Sequence, residues 1–472
     1  MSAGRRIAGN VGALAVSKVA TLGLSFAVWV HLARTLTPDG VGVLTYGTAL
    51  LAYFVLVVAL GFDAVTVREI ARDRDRARDL VPTVLGLRLV LLGGAAAVYA
   101  VLVWVLPQTP AERTVLLVLG GLLVVRAVQL DWVYQGLEEM GTIAIRDVAA
   151  SAIAAGGAFA FVRGPDDVLP AAAAIVAGPL LSNASLLVAY GRRYGLAWPR
   201  FDRAAWLAVL LPALPLVASA FVSEIYYSLD KIMLEGLRTT SEVGLYGVAY
   251  KVFALSIAPT GVLYGAFFPA IAATLGSPER MRSVSEVYAR LQFGIGCAVT
   301  AAGVVFADVL VVAVFGAEYA EAGGALRLLF LNAGVIYANM VFGVPLMAWD
   351  RQGAYFRAVA AGGVANVALN VALIRPFGIE GAALATLLSE AVVLVGLATL
   401  YRGMAGRVFA GVAARAVGVA LVGAALPAAV LVNFGVSVFV AAPVVAVVSL
   451  GALWASGLVA LPALRSLLHS SP

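Results

Sequence analysis

Charge is what this chain has least of. Only 12% of its 472 residues are Asp, Glu, Lys or Arg, whereas 62% are hydrophobic and the mean hydropathy is +0.99. Soluble globular domains carry about 25% charged residues, so that class is excluded. A single cysteine, Cys297, cannot close an intramolecular disulfide. Two histidines, His31 and His469, are too far apart in sequence to suggest a metal pair, and no metal or other cofactor is expected. No phosphate-cradling glycine loop of the nucleotide-binding kind occurs, so no bound nucleotide is expected to supply energy. The connectors between apolar runs are short, which leaves no room for a soluble catalytic or nucleic-acid-binding domain.

What the chain does have is a series of apolar runs, each long enough to cross a hydrocarbon core of about 30 Å at about 1.5 Å per helical residue. They predict an all-α polytopic membrane protein with about fourteen transmembrane helices, centred near residues 20, 51, 95, 124, 153, 179, 217, 257, 298, 337, 364, 390, 422 and 448. The first run follows Arg5 and Arg6 but is longer than the apolar core of a signal peptide and contains Lys18, so it reads as a retained span. Arginines recur in alternate connectors: Arg68, Arg72, Arg74, Arg76 and Arg78, then Arg192, Arg193, Arg200 and Arg203, then Arg280, Arg282 and Arg290, then Arg402, Arg407 and Arg415. Cytoplasmic loops are the ones enriched in basic residues, which places both termini in the cytoplasm of a cell (inner) membrane. The net charge of +6 then reflects topology and attraction to anionic inner-leaflet lipid, not a nucleic-acid surface.

Two stretches repeat at an offset of six helices. Pro38-Asp39-Gly40-Val41-Gly42-Val43-Leu44 introduces the second helix, and Thr240-Ser241-Glu242-Val243-Gly244-Leu245-Tyr246 introduces the eighth. Gly141 and Arg163 bracket the fifth helix as Gly353 and Arg375 bracket the eleventh. An even offset makes the repeats parallel, related by a pseudo-two-fold axis along the membrane normal. The expected organisation is an N-terminal six-helix lobe (1–190), a cytoplasmic inter-lobe linker (191–205), a C-terminal six-helix lobe (206–403), and two additional helices with a cytoplasmic tail (404–472). Residues 416–464 carry no charge and suit a lipid-facing surface.

The 32 basic residues include only three lysines, Lys18, Lys231 and Lys251, and all three fall inside apolar stretches. An intramembrane cation costs about 2.5–3.5 kcal/mol on insertion scales and usually faces a polar cavity or a counter-charge. Lysines kept at that cost point to an anionic cargo. On the first helix Asn10, Ser17, Lys18, Thr21 and Ser25 recur at helical spacing as a polar stripe. Lys251 shares a helix face with Gly244, Gly247, Ala254 and Ala258, so little side-chain bulk would block a head group. The competing reading pairs Lys18 and Lys251 with buried acids such as Glu224 or Glu390.

Other charges are open to either reading. Lys231 and Glu235 are spaced to satisfy each other, and Asp230 and Lys231 read as structural. Arg126 faces a cavity or snorkels, while Arg88 and Arg327, nearer span ends, are expected to snorkel. Glu390 is an ion site or a hydrogen-bonded packing element, and Asn366 and Asn370 are expected to bond between helices. Tyr46, Tyr53, Tyr246 and Tyr250 have helical spacing that suits either sugar stacking or packing.

The run Asn366-Val367-Ala368-Leu369-Asn370, followed by Ile374-Arg375-Pro376-Phe377-Gly378-Ile379-Glu380-Gly381-Ala382-Ala383-Leu384-Ala385-Thr386, resembles a signature of polysaccharide-biosynthesis membrane proteins. These are the O-antigen and lipid-linked oligosaccharide flippases of the multidrug/oligosaccharidyl-lipid/polysaccharide exporter superfamily. Ser228-Leu229-Asp230-Lys231, Trp132-Val133-Tyr134-Gln135-Gly136-Leu137-Glu138 and Phe315-Gly316-Ala317-Glu318-Tyr319 are similar to the same family. The resemblance implies a MATE-like fold, alternating access, and export of a polyprenyl-diphosphate-linked glycan, with no chemical catalysis. Lys18, Lys251 and Arg126 would then meet the diphosphate, since compact ammonium groups suit it as point charges. Asn10, Ser17, Thr21, Ser25, Tyr46 and Tyr250 are candidate lining residues, and Glu224, Asp230, Lys231 and Glu390 are candidates for ion binding or pairing. A proton or sodium gradient is a candidate energy source.

Two alternatives stand beside this expectation. A cation-coupled drug exporter of the same superfamily would carry an essential carboxylate in the first bundle, whose spans show Lys18, Arg88 and Arg126 and no mid-membrane acid. A glycan polymerase or ligase would need a sizeable catalytic loop outside. The longest, near Asp308 to Ala322, has Asp308, Glu318 and Glu321 but no histidine or basic residue.

Overall fold

The structure is a computed structural model that describes residues 3–195, 198–406 and 409–459. Among these, every regular element is helical, as the apolar periodicity predicts. The chain divides into two compact units, Met1–Glu235 and Gly236–Pro472.

The first unit contains α1 (Ala3–Thr35), α2 (Pro38–Ala59), α3 (Phe62–Arg72), α4 (Ala77–Val105), α5 (Pro110–Leu119), α6 (Gly121–Ala127), α7 (Asp131–Gly136), α8 (Met140–Phe161), α9 (Val168–Tyr194) and most of α10 (Arg203–Leu237). The second contains α11 (Thr240–Ala272), α12 (Pro278–Phe315), α13 (Ala322–Ala348), α14 (Gln352–Ala405), α15 (Ala410–Ala420), α16 (Leu426–Asn433) and α17 (Val438–Ala455). Eleven of the described helical segments are long and apolar enough to span a membrane. One of them, α14, is 54 residues long and folds back at Gly378 (φ 53°, ψ −130°), so it supplies two spans. The helices α1 and α10, of 33 and 35 residues, are long enough to be two more of the fourteen expected. The chain is a multi-pass membrane protein.

In the first unit one span ends, and another breaks, at residues that leave helical geometry. After α2, Leu60 (φ 36°) and Gly61 (φ 62°) both take the left-handed conformation, and the chain restarts as α3. Glycine pays no Cβ penalty there, whereas leucine does. The fourth span breaks between α6 and α7, where Val128 and Leu130 leave helical geometry. The two restarted segments pack on each other because Gly136 has no side chain: a Cβ there would lie 2.7 Å from the Ile70 Cβ. Phe62, Ile70, Trp132, Val133 and Leu137 fill the space between them as a buried cluster.

Part of the segment expected to link the lobes lies against α4. The Arg200 N–H donates to the Pro82 carbonyl at 2.8 Å, and a Cβ on Gly86 would come within 2.2 Å of the Arg200 carbonyl oxygen. Trp206 Nε1–H also donates to that carbonyl.

The two stretches aligned by the repeat start their helices alike. Thr37 caps α2 by accepting from Gly40 N–H, and Thr239 caps α11 by accepting from Glu242 N–H. In the second unit the two arms of α14 meet through small residues, since a Cβ on Gly381 would sit 2.1 Å from the Leu373 carbonyl oxygen. Asn366 Nδ2–H donates across them to Ser389 Oγ at 3.2 Å, the interhelical bond expected of it, whereas Asn370 donates to Asn366 at 2.9 Å within its own arm.

Candidate functional site

The two helix breaks bring a group of charges together inside the first unit. Asp63, in the first turn of α3, shares its carboxylate between two arginines: Oδ1 accepts from Arg88 Nη2–H at 2.6 Å and Oδ2 from Arg126 Nη2–H at 2.6 Å. Arg126 ends α6 and Asp63 starts α3, so each charge also opposes the partial charge of its helix end. The break after α6 frees the Gln129 carbonyl, which accepts from Arg88 Nη1–H at 2.7 Å and from Trp132 Nε1–H at 3.2 Å. The Gln129 side chain continues the chain of bonds by accepting from Arg126 and donating to Asp131 Oδ2. Arg146 on α8 then donates to Asp131 Oδ2 at 2.6 Å, to Asp147, and to Asn183 Oδ1 on α9 at 3.1 Å.

Three arginines and three aspartates are joined in this way, so the network is neutral as a whole. It is polarised, however. Arg88 and Arg126 share one acid at one end, while Asp131 and Asp147 share one arginine at the other. Charge-assisted bonds of this length offset the cost of removing guanidinium groups from water. The side chain of Arg88 is 0% exposed, that of Arg126 20% and that of Asp63 33%.

This arrangement corrects one expectation. Arg88 does not snorkel; its partners hold it inside the unit. Its acid, Asp63, comes from just beyond the end of α2. The acid escaped sequence reading because the apolar run stops at Leu60, and a break that returns the chain to the same packed region leaves only the Leu60-Gly61 pair as a trace.

The other candidates are placed as follows. Lys18 is exposed on α1, as is Ser25, while Ser17 is buried and Thr21 half-buried, so the polar stripe is divided between two faces of the helix. The side chain of Asn10 lies outside those described. Lys251 is half-buried on α11; on its face Gly244 and Gly247 are buried and Ala254 is exposed. Tyr46 is buried, and Tyr250 packs against Tyr246 and Phe253 with ring centroids 5.9 and 5.2 Å away. Tyr53 OH donates to the Glu224 carbonyl at 3.4 Å, and the Glu224 carboxylate accepts from Ser228.

Lys231 pairs with its neighbour Asp230 at 3.2 Å, and Glu235, the partner expected for it, accepts from Gln108 at 3.2 Å. Glu390 accepts from Asn339 Nδ2–H on α13, a hydrogen-bonded packing contact. Arg327 is partly exposed and pairs with Asp308.

Fold and site together define a class: a helical multi-pass membrane protein with paired charges inside its helices. The chain belongs to the polysaccharide biosynthesis protein family, whose model matches residues 7–275. Among curated proteins it is similar to "Probable low-salt glycan biosynthesis flippase Agl15" of Haloferax volcanii, with 29% identity over 178 residues, 37% of this chain and 38% of that protein. It is similar also to "Probable flippase AglR" of the same organism, with 31% identity over 174 residues, 35% of each chain. The matched region thus spans little more than a third of the length of these relatives. Among solved structures, the lipid II flippase MurJ in an inward closed conformation gives a TM-score of 0.75 at 10% identity, covering 94% of this chain and 97% of that one. An inward-facing multidrug resistance MATE transporter gives 0.65 at 16% identity, covering 82% and 94%. These likenesses show a MATE-like fold.

Proposed function

We propose that the protein is a flippase that moves a polyprenyl-diphosphate-linked oligosaccharide, a unit of O-antigen or another surface polysaccharide, from the inner to the outer leaflet by alternating access. The observation that carries this reading is membership of the polysaccharide biosynthesis family over residues 7–275, with relatives named as flippases. In this reading the protein is a transporter and not an enzyme. It lies in the cytoplasmic membrane with both termini inside, and its six-helix lobes are 1–190 and 206–403, joined by 191–205 and followed by two helices in 404–472. Lys18, Lys251 and Arg126 are the cationic groups for the diphosphate. The exposure of Lys18 on α1 supports its part. Anionic lipid binds the arginine-rich inner connectors, and the energy comes from an ion gradient, the membrane potential or substrate flux.

The test is deletion of the gene followed by analysis of polyprenol-linked sugars. Accumulation of the completed lipid-linked glycan on the inner leaflet, with its synthesis intact, is expected. Unchanged surface glycan together with new drug sensitivity would instead establish an exporter.

A further inference from the structure

Within the charge network, the end that carries Arg88, Arg126 and Asp63 is built unevenly. Arg88 is sealed at 0% exposure and is held from two sides, by Asp63 Oδ1 and by the Gln129 carbonyl. Arg126 is 20% exposed and Asp63 33%, so an incoming group can reach the Asp63–Arg126 contact but not the one behind it. Two guanidinium groups there share one carboxylate, leaving an excess of one positive charge. A planar acid whose two oxygens each meet a guanidinium occupies the positions that two oxygens of a phosphate would take, since arginine binds both groups with the same fork.

We propose that Arg126 is a phosphate-binding group kept closed by Asp63, which acts as a resident counter-ion displaced by the diphosphate of the cargo. This rests on the reading of the cargo as a lipid diphosphate and deepens it by adding a gate. When phosphate takes Arg126, the Asp63 carboxylate keeps its bond to Arg88 through the other oxygen, so neither group is left buried and unpaired. Gln129 Oε1 accepts from Arg126 Nη1–H and keeps the guanidinium aimed while the carboxylate leaves. The left-handed pair Leu60 and Gly61 ends α2 just before Asp63, where the carboxylate need only turn its second oxygen from Arg126. Asp63 is thus a positioning residue, and its removal has a signature that a merely structural acid lacks: tighter binding of phosphate.

The experiment titrates inorganic pyrophosphate and a short prenyl diphosphate into the full chain in lipid nanodiscs by calorimetry. D63N, isosteric but uncharged, is expected to bind the prenyl diphosphate about tenfold more tightly than the unaltered protein, a coupling of ordinary size. R126Q keeps the Asp63–Arg88 pair and is charge-balanced at that end, so it folds even where D63N does not, and its affinity is expected to fall about tenfold or more. Equal affinity in R126Q and the unaltered protein overturns the proposal, as does a folded D63N that binds no tighter. Tighter binding of free pyrophosphate than of the prenyl diphosphate overturns the assignment to a lipid head group. If neither variant changes binding while gene deletion still strands the lipid-linked glycan, the gate fails and the flippase reading stands. If deletion leaves the glycan pool unaffected, the cargo reading fails and takes the gate's ligand with it.

Discussion

At the scale of single residues, charges in this protein differ according to whether water can reach them. Arg193 and Glu139, at 55% and 31% exposure, form a pair that solvent screens. Arg193→Ala is expected to change stability by less than about 1 kcal/mol. Asp63→Ala leaves a fully buried guanidinium without its acid and is expected to cost about 3–5 kcal/mol, read as a large drop in Tm of the purified protein. Asp167 lies between two spans, and its carboxylate accepts from the backbone N–H groups of Arg163 and Gly164, each at 2.8 Å. These bonds favour the ionised form and hold the group below the usual carboxylate range. The carboxylate bonds are therefore fully present above the unfolded value near pH 4 and are lost as pH falls through the lower folded value. Amide exchange at Arg163 and Gly164 should stay slow at neutral pH and lose its protection only in strong acid, and Asp167→Asn should remove that pH dependence.

At the scale of elements, the breaks and close approaches depend on glycine where nothing else fits. Gly61→Ala forces a Cβ into left-handed geometry and is expected to cost about 1–2 kcal/mol of stability. Gly381→Val drives side-chain bulk into the Leu373 carbonyl and should separate the arms of α14, costing about 1–3 kcal/mol and the Asn366–Ser389 bond. Protease resistance of the second unit would measure it. Much of this level was legible in sequence. Asn366 was read as bonding between helices, because an amide inside an apolar run needs a polar partner, and it does so to Ser389. The breaks in the second and fourth spans were not legible, since hydropathy averages over them and the Asp63–Arg126 contact joins positions 63 residues apart. A lysine inside an apolar run identifies itself, whereas an acid three residues past such a run looks like a loop.

At the scale of the whole molecule, the all-helical, multi-pass character followed from run length alone, because a helix satisfies its own backbone in lipid. The orientation proposed from arginine placement has a direct check. Cys297 is the chain's single cysteine, so a Cys297→Ser background accepts new thiols cleanly. Arg192→Cys should react with an impermeant maleimide only in inverted vesicles, and Glu318→Cys only in intact cells. The opposite pattern would reverse the proposed direction of transport. The spacing of the buried pair also bears on biogenesis. Asp63 precedes Arg88 by 25 residues, so the ribosome delivers the acid before the base and both belong to one helical hairpin. The arginine thus enters the bilayer with its neutralising partner already beside it.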